Sequence, residues 1–295
     1  MKLKTRALSL LILIAVACAA PAAGQDAAAW SRYTYPGEEF SVELPSMPFV
    51  HHTWRQVGDR PPEGAKTRVF GVFAGEVVYI IVAFDKPRPT EPDDRLAGYV
   101  WAGRGLTRKG DVRSGGAAGS EYDVGLYSLK GAARFFRTKT HAYLLEAFSD
   151  MDGQGEAIGR FLNSFALGAK PPGESITEGQ AAAPLAPPQE AQTSGAVGDG
   201  PYKATEVERR SVIVYKPEPG FTEEARRESI TGSVRLRAVL SSSGKVTSIN
   251  VIKGLPLGLT EKAIEAARHI LFFPASRDGR RVSQYVVLEY DFNSY

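Results

Sequence analysis

The chain has 295 residues, 43% of them apolar and 23% charged, with a formal net charge of +3. That near-balance sets it apart from dedicated nucleic-acid binders, and no uncharged apolar run of spanning length follows residue 26, which excludes a polytopic transporter. Its single cysteine, Cys18, excludes an intramolecular disulfide, a cysteine zinc site and a thiol catalyst in the body of the protein.

Lys2, Lys4 and Arg6 precede the apolar run Ala7 to Ala20, and Ala22-Ala23-Gly24 stands before Gln25. This is the order of a basic, apolar and small-residue export segment over residues 1–24, with a mature chain starting near Gln25 in the periplasm or cell envelope. Ala15-Val16-Ala17-Cys18 resembles a lipoprotein cleavage box. The uncharged stretch Ala7 to Gln25 is also marginally long enough for a retained inner-membrane anchor. Cleavage, lipidation at Cys18 and retention stay open; export is common to all three.

Residues 25–169 read as an α+β domain. Phe40-Ser41-Val42-Glu43-Leu44 alternates and ends at Pro45, as a strand with one buried face should. Further strands are expected over Thr67–Phe73, Val77–Phe84, Glu121–Leu129, Ala132–Thr138 and His141–Phe148. Helices are expected over Asp93–Leu106 and Asp152–Phe165, the second with Ile158, Phe161, Leu162 and Phe165 on one face. The opening F-S-V-E-L-P and closing F-L-N-S-F loosely resemble the frame of PsbP-like α/β sandwich domains.

Residues 170–200 are rich in Ala, Pro, Gln, Ser and Gly and almost lack large apolar side chains. Such a segment cannot offset its ordering entropy by burial, so a disordered linker of about 30 Å is expected.

Residues 201–295 form a mildly basic C-terminal unit. Thr222 is placed to cap a short helix that begins with Glu223 and Glu224. Gly232–Ser241 alternates, Ser241-Ser242-Ser243-Gly244 turns, and Lys245–Ile252 returns as the second strand of a hairpin. Ala263, Ile264, Ala267, Ile270 and Leu271 form a helical apolar stripe. Asp278-Gly279 turns into a last strand, Gln284–Phe292. The expected order is helix, strand, strand, helix, strand: a three-stranded antiparallel sheet packed on a helix.

Candidate chemistry is sparse. Ser242-Ser243-Gly244-Lys245 meets the S-x-x-K spacing of serine β-lactamases, but it lies on a turn, and neither a K-T-G strand nor an S-D-N loop accompanies it. His51 and His52 would point to opposite faces of a strand, and His141 and His269 stand alone, so no metal or cofactor is expected. His269 reads as a helix cap favoured by the dipole. Gly103-Arg104-Gly105 and Gly115-Gly116-Ala117-Ala118-Gly119 lack a phosphate-cradling pattern and read as flexible loops. Arg235 and Arg237, with Arg226, Arg227, Arg280 and Arg281 in neighbouring elements, outline a basic face that keeps the domain soluble or steers an acidic partner. Tyr290, Phe292, Phe272 and Phe273 are assigned to the core.

Three stretches, KPEPGFTEEARRESITGSVRLRAVL, SSGKVTSINVIKGLPLGLTEKAIEAARHILFFPASRDGRRV and VVLEYDF, resemble the C-terminal domain of the TonB family, framing a domain of about 207–295. The resemblance implies a non-enzymatic envelope protein whose last strand recruits an extended segment of an outer-membrane receptor. It marks Val286, Val287, Leu288, Glu289, Tyr290, Asp291 and Phe292 as the partner-binding edge, with Arg235 and Arg237 as electrostatic helpers. An open edge is compatible with a homodimer as well. The folded domain between signal and linker departs from the plan of energy transducers. A second expectation therefore makes residues 25–169 a ligand- or lipid-binding unit, with the C-terminal module as docking adaptor.

Overall fold

The computed structural model describes residues 30–53, 67–85, 104–168, 174–175 and 200–293. The expected export segment with Cys18, most of the linker expected over 170–200, and the helix expected over Asp93–Leu106 as far as residue 103 lie outside the described residues.

The N-terminal part runs β1 (Ser31–Thr34), β2 (Phe40–Leu44), β3 (Phe49–Thr53), β4 (Thr67–Ala74), β5 (Val77–Asp85), β6 (Gly105–Ser114), β7 (Ala117–Leu126), β8 (Leu129–Arg137) and β9 (His141–Ser149). Helix α1 (Gly155–Ser164), β10 (Ala166–Leu167) and β11 (Glu174–Ser175) follow. Seven strands make one antiparallel sheet in the order β3-β4-β5-β9-β8-β7-β6, and four short ones make a second in the order β10-β2-β1-β11.

The second sheet and α1 cover one face of the first. There Phe40, Val42, Phe161 and Phe165 pack on Tyr79, Ile81, Tyr143 and Leu145. β5 reads Val-Val-Tyr-Ile-Ile-Val-Ala-Phe-Asp with no polar residue before its end. A strand apolar on both sides needs cover on both sides, and Val78, Ile80 and Val82 do face a second core.

Several expectations are corrected. Gly105 and Leu106 open β6 rather than end a helix, and Glu121–Leu129 is divided by a turn at Tyr127-Ser128. Gly115 and Gly116, at φ 53° and 82°, form the tight hairpin turn between β6 and β7 instead of a flexible loop.

The C-terminal part runs β12 (Val212–Tyr215), α2 (Glu223–Arg227), β13 (Gly232–Leu240), β14 (Val246–Lys253), α3 (Leu259–Arg268), β15 (Leu271–Phe273), β16 (Ala275–Arg277), β17 (Arg280–Val282) and β18 (Gln284–Phe292). Thr222 caps α2, its hydroxyl accepting from the Ala225 N–H at 3.2 Å. The sheet order is β14-β13-β18. Its inner face buries Val234, Leu236, Leu288, Tyr290 and Phe292 against Ala263, Ala266 and Ala267 of α3. The described residues are thus mostly sheet with few helices. The helical stripe expected to include Leu271 stops at Arg268, because Leu271–Phe273 pairs with β12 as a separate strand.

That small β12–β15 ladder covers the second face of the seven-stranded sheet. Val214, Leu271 and Phe273 join Val69, Val78, Ile80, Leu144 and Phe148 in one buried cluster. Phe73 and Phe273 meet edge to face at 5.7 Å. Polar contacts ring this apolar centre: the Arg104 guanidinium donates to the Val214 carbonyl at 2.9 Å, and Arg209 donates to Asp150 at 2.5 Å. Phe272, one residue away and pointing oppositely, belongs to the inner core of the C-terminal sheet.

Candidate functional site

The C-terminal sheet has two outer edges, β14 and β18, and they differ. β14 pairs with β13 through two register shifts, and Ser248 takes a left-handed φ of 49°. Such bulges break the even spacing of outward backbone groups and blunt an edge. β18 pairs with β13 over nine consecutive residues, Gly232–Leu240 against Gln284–Phe292, with no shift.

Alternation along β18 decides which groups face outward. The Tyr285 N–H donates to the Tyr202 carbonyl and the Tyr202 N–H to the Ser283 carbonyl, both at 2.9 Å, in a short parallel bridge. Odd-numbered residues therefore turn their backbone groups away from β13. The Glu289 carbonyl agrees with this parity, accepting from the Lys216 ammonium, which lies 4.4 Å from the Tyr290 ring centre. Among the described residues, no backbone pairs with Val287, Glu289 or Asp291 on that side. Val286, Leu288, Tyr290 and Phe292 instead point their side chains into the core, Val286 only partly. Burial pushes the Tyr290 hydroxyl well above its usual range.

On the solvent face of the sheet, Arg237 stands opposite Val287 and Arg235 opposite Glu289. Both arginines are exposed, and Val287 and Tyr285 are 55% and 43% exposed. Three of the four other cations expected on this face are used elsewhere, and the fourth, Arg280, is exposed at the start of β17. Arg281 binds Glu76 and Asp150 of the N-terminal part, while Arg226 and Arg227 pair with Glu223 and Glu224 within α2. Lys216 and Tyr202 were not singled out from the sequence: nothing in their local pattern shows that the fold brings them to the β18 edge.

The remaining candidates fall into structural places. Ser242–Lys245 is the β13–β14 turn, where Gly244 has φ 80°. His51 and His52 do face opposite ways along β3, His51 toward the His269 ring and His52 toward the Tyr35 hydroxyl. His269 caps α3 as expected, while burial lowers its pKa and so works against the charge that the helix dipole favours.

Residues 217–294 match the family model described as Gram-negative bacterial TonB protein C-terminal. Over those residues the chain is similar to TonB C-terminal domains. TonB C-terminal domains are interaction modules rather than enzymes, and TonB family proteins are envelope-associated. No curated protein matches the chain. Among solved structures, the solution structure of cyanobacterial PsbP (CyanoP) from Synechocystis sp. PCC 6803 is 13% identical. It covers 50% of this chain and 98% of that chain at a TM-score of 0.33. That weak likeness matches the loose resemblance of the frame sequences and carries nothing about function. Among the described residues, no helix is long and apolar enough to cross a membrane.

Proposed function

We propose that this is an exported envelope interaction protein in which the TonB C-terminal domain adds an extended partner segment to the outer edge of β18. The partner is an outer-membrane receptor or another envelope protein. The observation that carries this reading is the unbroken β13–β18 register, together with the outward backbone groups of Val287, Glu289 and Asp291. An added strand would gain roughly 1 kcal/mol net per hydrogen bond and lose most of it to association and ordering. Binding is therefore weak and reversible. Arg235 and Arg237 stand one strand away and steer an acidic segment toward the edge.

Proline substitution along β18 tests this directly, because only alternate N–H groups are used by β13. In the full-length chain, Val287→Pro removes an outward N–H and leaves the ladder intact. It should abolish capture of an extended receptor segment while the circular dichroism spectrum stays native. Leu288→Pro removes an inward N–H and should destabilise the domain itself. Full capture by a folded Val287→Pro variant would overturn the proposal.

The alternative, a ligand- or lipid-binding N-terminal unit, is disfavoured because each face of the seven-stranded sheet is packed against protein.

A further inference from the structure

The contact between the two parts of the chain contains a pair of histidines. His51 of β3 lies on the face that meets the C-terminal part. Its ring centre is 5.8 Å from that of His269, the cap of α3, and Phe49 lies 5.2 Å from the same His269 ring. The Nε2 atom of His51 is buried with no hydrogen-bond partner. His269 Nδ1 stands 3.0 Å from the Glu265 carbonyl. A carbonyl only accepts, so Nδ1 carries the proton and neutral His269 keeps its lone pair on Nε2.

Protonating His51 would place a donor in a buried position that offers no acceptor. Protonating both rings would set two cations against each other across the contact. The charged surroundings do not remedy this. Glu265 favours the charged form of each ring, but its carboxylate also holds Lys262 at 3.0 Å. A backbone hydrogen bond with Glu218 acts in the same direction on His51, whereas His52 on the same strand opposes its charge. Arg268 opposes the charge on His269.

We propose that His51 and His269 form an acid-sensitive latch: neutral, they permit the C-terminal part to dock on the seven-stranded sheet, and protonation releases it. The release rests on the interface itself and not on how β18 is used. Burial, and after it the neighbouring His269, brings His51 from 6.5 down to about 4, and burial lowers His269 as well. The docked state thus binds fewer protons than the undocked one. Docking is fully favourable above the ordinary histidine value, weakens as pH falls below it, and levels off near the docked value. For His51 alone, the docking constant is expected to fall roughly 20-fold between neutral pH and pH 5.

Small-angle scattering of the full-length chain between pH 7.5 and 4.5 reads this out. The wild type should expand as pH falls while its far-ultraviolet dichroism stays native, and His51→Gln with His269→Gln should remain compact. His52→Gln, on the other face of β3, should expand like the wild type. A wild type that stays compact to pH 4.5 overturns the proposal, and so does a double variant that opens at the same pH. Proton NMR of the wild-type imidazoles needs no variant. A latch requires both rings to resist protonation until the chain opens, and titration of His51 at an ordinary midpoint in the compact chain overturns it.

Discussion

Arg281 of β17 donates to the carboxylate of Glu76, a residue 205 positions earlier in the chain. The same guanidinium reaches Asp150 at 3.3 Å, where Arg209 also donates. The two acids are not equivalent. The Asp150 side chain is 1% exposed and that of Glu76 is 38% exposed. A buried carboxylate facing two guanidiniums is costly to remove, whereas a half-exposed one is screened. Asp150→Asn should lower the unfolding free energy by about 2–3 kcal/mol, and Glu76→Gln by less than about 1 kcal/mol. Urea unfolding of both variants checks the ranking. Equal losses would mean that Asp150 does not organise this contact.

Leu271 is the apolar counterpart of that ion cluster. It is 5% exposed in the core shared by the two parts of the chain, and the truncation Leu271→Ala leaves a cavity between them. The expected loss is about 2–4 kcal/mol. Ile264→Ala, on a partly buried position of α3 inside the C-terminal domain, should cost less. Denaturant midpoints, with the slope monitored for loss of cooperativity, distinguish the two.

Tyr127 occupies the first central position of the two-residue β7–β8 turn with φ 54° and is 88% exposed. A side chain there is strained and recovers little by packing, whereas glycine is the residue this turn favours. Tyr127→Gly should raise stability by about 0.5–1 kcal/mol, seen as a melting temperature higher by a few degrees. A lower melting temperature would mean that the ring makes a contact worth more than the strain.

Acid should also lower overall stability through the histidine pair. His51 binds its proton at about 4 when folded, against 6.5 as an ordinary group. Its contribution is therefore whole above the ordinary value and is lost as pH falls toward the folded one. At pH 5 the loss is about 2 kcal/mol. Subtracting the pH profile of His51→Gln from that of the wild type isolates this contribution, and superimposable profiles would contradict it.

The elements most legible in the sequence were those whose own pattern reports burial. β18 alternates with one buried face over Gln284–Phe292, as its pattern reports, whereas β2 keeps its expected bounds, Phe40–Leu44, but buries Ser41 along with Phe40, Val42 and Leu44, so its second face is covered too. β6 was illegible because it is an outer strand whose Thr107, Arg108, Lys109 and Asp111 face water and provide no apolar period. Leu271 continued the helical spacing of Ala263, Ala267 and Ile270, so periodicity alone assigned it to α3. Only the pairing of β15 with β12, far away in sequence, decides otherwise. At the candidate edge, the strand itself was readable, but Tyr202 and Lys216 arrive there through tertiary folding and leave no local trace.

The cover that β12 and β15 provide has a consequence for how the chain is made. The seven-stranded sheet ends at Ser149, but the residues that close its second face come from 212–215 and 271–273. A chain emerging from its N-terminus therefore presents Val78, Ile80, Val82, Leu144 and Phe148 without the cover of Val214, Leu271 and Phe273 until residues 212–215 and 271–273 are delivered. Truncation before residue 271 would leave that surface open to other chains, so a shortened product should be sticky rather than merely incomplete. Completion of the C-terminal domain is, in this sense, also the final step in making the N-terminal one safe to leave unattended.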